Sequence, residues 1–164
     1  MNSRKNLREK YPDSPACRCN ICVSYCRRPG WWTVEEARAA LEAGYGNRMM
    51  LEMAPGNAFG VLSPAFRGAE QRFATDEFAK SGCTFLADGL CQLHGTGLQP
   101  LECRFCHHDR ADEGRRCHKD IERQWNTAAG RALVVRWSNW TDFWRTIPDA
   151  QGSAAISTRG RAGR

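Results

Sequence analysis

The sequence predicts an α+β fold: a small, irregular, cysteine-rich domain stabilised by metal, with short hairpins and a C-terminal helical segment. Three observations carry this reading. Eight of the nine cysteines in 164 residues fall into closely spaced groups. Apolar runs are brief and interrupted by Gly and Pro, so any strands must be short. Helical periodicity is confined to two stretches, one after Thr33 and one over 119–136. With 41% hydrophobic and 26% charged residues, the chain has an ordinary globular balance, long enough for one domain with a modest core.

In chain order, residues 1–16 read as a polar N-terminal arm ending in Tyr11-Pro12-Asp13-Ser14-Pro15. A cysteine-cluster metal-binding domain follows over 17–118, then C-terminal helices packing on it over 119–148, and a flexible basic tail over 149–164. Within the domain, Pro29-Gly30 turns the chain out of the first cysteine group. Thr33 with Glu36 three residues on forms a capping box, and Trp32 staples the helix start over Ala37. Val34, Ala37, Ala40 and Leu41 share one helix face, and Gly44 ends the helix near Ala43. Met49–Met53 and Phe59–Leu62 read as extended around a Pro55-Gly56-Asn57 turn. A short helix is expected at Thr75–Lys80 and a hairpin over 83–93, turning at Asp88-Gly89.

The length of that hairpin loop bears on chemistry. A two-residue loop pairs Leu86 with Cys91 and Cys83 with His94, leaving the two cysteines on opposite faces. A three-residue loop puts Cys83, Phe85, Cys91 and Leu93 on one face, so a metal shared by both cysteines requires the longer loop. Further on, Ile121, Trp125, Ala128, Ala132 and Val135 mark the helix over 119–136. Ser138 is expected to cap a second short helix through Thr146, ended by Pro148.

The net charge of +6 invites a nucleic-acid reading until it is located. Residues 1–10 and 151–164 contribute +3 each, leaving 11–150 at zero. Bound thiolates would make the middle negative, which opposes a nucleic-acid-binding zinc module. No secretory signal and no apolar stretch of the ~20 residues a membrane helix needs is visible, so a cytoplasmic address with no membrane partner is expected. In that reducing compartment clustered cysteines bind metal or react rather than form a disulfide framework, which an odd count also suits poorly.

Several thiolates or imidazoles must converge within about 2.3 Å of an ion, and close spacing in tight turns supplies them economically. Cys17-x-Cys19-x2-Cys22-x3-Cys26 is one such group. Cys103-x2-Cys106, followed by His107 and His108, is another, and Cys83 and Cys91 sit on the hairpin. These eight cysteines are the expected metal ligands, with the number of ions left open. His107 and His108 are candidate ligands or donors to them. His94 and His118 have bland readings, as a surface group bonded to backbone and a residue at a helix start. Cys117 stands outside the ligand set. The spacing allows zinc or iron, including an iron–sulfur cluster.

Three motifs in order resemble the YkgJ-type cysteine-cluster family of zinc- or iron-chelating domains. They are Cys19-x2-Cys22-x3-Cys26 with Pro29-Gly30-Trp31-Trp32-Thr33, then Cys83-Thr84-Phe85-Leu86 with Gly89-x-Cys91-x-Leu93-His94, and last Pro100-Leu101-Glu102-Cys103-Arg104. The resemblance covers about residues 17–108. The family's first motif usually ends in adjacent cysteines, whereas here Tyr25 precedes Cys26 and Cys17 lies on the other side. The resemblance implies a metal-binding accessory, structural or redox module. Some members act as protein lysine methylases, so it also implies a metal-dependent, protein-modifying enzyme as the alternative. No methyl-donor loop supports that second reading: Ala43-Gly44-Tyr45-Gly46 follows a helix rather than a strand. Glu102, beside Cys103, is expected to be a solvated or supporting carboxylate. Trp125, Trp137, Trp140 and Trp144 are expected to pack on the cysteine-rich core.

Overall fold

A computed structural model describes residues 7–147 and shows an α+β arrangement of five helices and two small antiparallel sheets. The helices are α1 (Leu7–Lys10), α2 (Asn20–Tyr25), α3 (Val34–Glu42), α4 (Gly114–Trp125) and α5 (Ala128–Trp140). The strands are β1 (Met49–Met53) with β2 (Gly60–Pro64), and β3 (Leu86–Ala87) with β4 (Leu90–Cys91).

Helix α3 starts where its sequence dictates. The Glu36 amide donates to Thr33 Oγ1 at 3.1 Å, and the Thr33 amide donates back to the Glu36 carboxylate at 3.0 Å. Glu36 is buried, and the same carboxylate oxygen accepts the Leu101 amide at 3.0 Å. The cap thus fixes the loop that carries Cys103. The hairpin β1–β2 pairs Leu51 with Leu62, as the two apolar runs suggest, and its tip is the Pro55–Asn57 turn. Its other edge is covered by the segment after Ala69, through Gln71, Leu51 and Ala74 amide bonds.

Three buried tryptophans knit the layers, each satisfying its indole N–H on a distant carbonyl. Trp32 donates to Leu98, Trp125 to Trp32 and Trp137 to Gly46, at 2.7, 2.7 and 2.8 Å. Trp140 and Trp144, by contrast, are exposed. They lie off the core that Trp125 and Trp137 help to build.

Other local expectations are corrected. The stretch 119–136 is two helices, because Thr127 caps α5 through the Gly130 amide at 3.2 Å. Gly130 also lies so close to the end of α4 that a Cβ there would be 2.4 Å from the Trp125 carbonyl oxygen. Ser138 is not a cap: it lies inside α5 and bonds the Val135 carbonyl at 2.9 Å. Only a 3-10 turn, Phe143–Thr146, follows, and Pro148 lies outside the described residues. Thr75–Lys80 forms successive turns rather than a helix, held by Phe78 and Ala79 amides on the Thr75 and Asp76 carbonyls.

The short hairpin uses the two-residue loop: Leu86 pairs with Cys91 across Asp88 and Gly89, whose φ angles are 50° and 75°. Yet both cysteines line one cavity. The longer loop is therefore not required, because Cys83 is outside the strand. A turn closed by the Leu86 amide on the Cys83 carbonyl at 3.1 Å intervenes, and strand alternation ends before Cys83.

Candidate metal centre

The first cysteine group is built around one short helix. Cys19 is the N-cap of α2, with its sulfur accepting the Cys22 amide at 3.5 Å, and Cys26 is the C-cap. Cys26 then binds the hairpin: its carbonyl accepts the Cys83 amide at 2.8 Å. The third motif approaches through Gly30. A Cβ at Gly30 would lie 2.8 Å from the Cys103 nitrogen, and the Gly30 amide donates to Cys103 Sγ at 3.2 Å. Only glycine permits this contact.

Beyond Cys106 the chain turns back so that the His108 amide donates to Cys22 Sγ at 3.3 Å. The His108 ring follows. Its Nδ1 lies 3.7 Å from Cys17 Sγ, 3.6 Å from Cys19 Sγ and 3.3 Å from Cys22 Sγ. All four ligand atoms lie within 4.8 Å of one another. One ring nitrogen has one proton or one lone pair and cannot satisfy three sulfurs as hydrogen-bond partners. Around a tetrahedral zinc ion, bonds of about 2.3 Å to sulfur and 2.0–2.1 Å to nitrogen place each N···S pair about 3.5 Å apart. The donor set therefore fits a divalent thiophilic ion. His108 Nε2 lies 3.3 Å from Asp109 Oδ1, the carboxylate partner that metal-bound imidazoles commonly use. His107 stacks on His108 with ring centroids 4.2 Å apart.

The remaining five predicted ligands, Cys26, Cys83, Cys91, Cys103 and Cys106, are brought together elsewhere. They line a cavity of about 70 Å³ whose other walls include Val23, Phe85, Leu90 and Leu93. That volume is several times what one water requires. Cys17, Cys22 and His107 line the same cavity, so the two thiol groups adjoin.

Thiol acidity differs sharply between them. Cys19 is lowered to about 6, chiefly by the Cys22 amide that donates to it. Burial pushes Cys22 up to about 11 and both Cys26 and Cys83 up to about 12, with neighbouring sulfurs adding to the rise. Cys103 and Cys106 share a hydrogen bond that raises the first and lowers the second. Cys117, outside the predicted set, is fully buried in α4 within the hydrophobic core.

His94 bonds the Ser14 carbonyl at 3.0 Å. Glu102 and His118 form an ion pair at 2.7 Å, with the other Glu102 oxygen accepting the Trp31 amide at 2.7 Å. These two line a cleft of about 240 Å³ with Trp31, Glu52 and Cys106. Asp109 had no signal of its own in the sequence beyond following a Cys-His-His run. Among the described residues no helix is long and apolar enough to cross a membrane. No protein-family model, curated protein or solved structure matches the chain.

Proposed function

We propose that the protein is a metal-binding cysteine-cluster module, with a Cys17/Cys19/Cys22/His108 centre suited to zinc and a structural or redox rather than catalytic role. The observation that carries this is the convergence of three sulfurs on a single imidazole nitrogen. The order of the three cysteine motifs, similar to the YkgJ-type chelating domains, supports the same reading. A closed set of three thiolates and one imidazole is the pattern of structural rather than catalytic zinc.

The five-thiol cavity favours a second reading for that part of the molecule, an iron–sulfur cluster. Cysteine ligands in an apolar, buried wall suit such a cluster. Elemental analysis and the visible spectrum of anaerobically purified protein distinguish the two. Zinc without visible absorption supports a thiolate–zinc protein throughout, and iron with sulfide absorption assigns the cavity to a cluster. In either case Cys22→Ser should lower the bound-metal stoichiometry, whereas Cys117→Ser should leave it unchanged. Full metal content in Cys22→Ser overturns the proposed centre.

A further inference from the structure

The two thiol groups are neighbours with different access to solvent. Cys19 and His108 are exposed, and Asp109 beside them is 72% exposed. Cys83 is buried, and the other four inner thiols are partly covered. One cavity runs between the groups, because Cys17 and Cys22 stand in its wall with all five inner cysteines. Cys26 is the joint. It follows Cys22 by about one turn at the C-cap of α2, its carbonyl holds the Cys83 amide, and it lines the cavity together with Cys22, Cys91 and Cys106. His107 makes a second connection: buried, stacked under His108 and lining the cavity.

We propose that the Cys17/Cys19/Cys22/His108 group, open to solvent at Cys19 and His108, is the port through which a thiophilic divalent ion reaches the five-thiol chamber, passing by Cys26. This rests on the metal reading above and adds a direction to it. Transfer is ligand exchange without redox change. As a bond from the ion to an outer sulfur breaks, a bond to Cys26 Sγ forms. The Cys26 proton passes to the released outer thiolate, and the ion stays divalent. Each later inner sulfur joins in the same way. Two centres in one wall thus make a relay, in which the outer centre both holds an ion and hands ions inward.

The test follows cobalt(II) added anaerobically to the metal-free full chain, read by thiolate-to-cobalt absorption, which grows with the number of sulfur ligands. Wild-type protein should show a fast band followed by a slower increase as the ion gains thiolates inside. The double variant Cys17→Ser/His108→Gln should reach the inner-site spectrum about tenfold more slowly or worse, the scale on which losing a supporting group weakens a metal site. Cys26→Ser should keep the fast phase and lose the slow one. If the double variant fails to match wild-type circular dichroism, Cys19→Ser, at an exposed position, takes its place. Wild-type loading rates in the port variants would overturn the relay, and would point to access through the cleft lined by Glu52, Glu102 and His118. A normal slow phase in Cys26→Ser would overturn it too. Absence of any cobalt–thiolate band in wild-type protein would instead overturn the metal reading itself, and the relay with it.

Discussion

At His108 a single ring nitrogen meets three sulfurs while the opposite nitrogen meets a carboxylate. A proton held on Nε2 by that carboxylate, Asp109, leaves the lone pair on Nδ1 for the ion. Asp109→Asn should therefore weaken zinc binding about 10–100-fold in a chelator competition, with the fold unchanged. The Glu102–His118 pair is a separate residue-scale device. Hydrogen bonding to Glu102 raises the histidine above its ordinary 6.5. A group raised on folding contributes stability that is full below its unfolded value and is lost as pH rises through the folded one. Wild-type melting temperature should thus fall as pH rises above 6.5, and His118→Gln should flatten that slope. A slope that survives the substitution would assign it to another group. The cysteines were legible as ligand candidates from their spacing alone. The choice of His108 over His107 was not, because it depends on the His108 amide donating to the sulfur of Cys22, 86 residues away.

Among elements, α2 is too short to be independently stable, yet it presents Cys19, Cys22 and Cys26 at successive turns. The elements with strong local signals were readable. The Thr33–Glu36 capping box begins α3 where expected, and Met49–Met53 pairs with Gly60–Pro64 across the foreseen turn. The break between α4 and α5 was hidden because the apolar stripe continues across it. Thr127 and the tight Gly130–Trp125 approach decide it. The hairpin misled in a different way: alternation predicts side-chain direction only inside a strand, and Cys83 precedes one. The contact of Gly30 with Cys103 is the element-scale joint between the first and third motifs. Gly30→Ala should cost about 1–3 kcal/mol through overpacking against backbone, measured by denaturant unfolding. It should also reduce bound metal, since the Cys103 loop must move. An alanine variant with native stability would show that the loop yields freely.

At the scale of the molecule, one hydrophobic core extends from Tyr11 through Trp32, Phe85 and Leu101 to Trp137, and the thiol cavity abuts it at Cys83 and Phe85. A metal shared by motifs this far apart in sequence would close long loops, and structural zinc can contribute ~10–16 kcal/mol in small modules. Strong chelation should loosen the cysteine-bearing segment while part of the helical circular dichroism persists, because α4 and α5 bury Ile121, Trp125, Leu133 and Trp137 against each other and α3. The tryptophan emission should shift to the red as that core admits water. An unchanged melting temperature after chelation would make the centre peripheral to the fold. The claim on which the rest depends is that His108 joins Cys17, Cys19 and Cys22 around one ion. Nitrogen-15 resonance of the histidine rings, in protein saturated with zinc, tests it directly. Of the four histidines, one should show a metal-bound Nδ1, and that signal should vanish in His108→Gln. Four histidines that keep their metal-free ring shifts at saturating zinc would contradict the account.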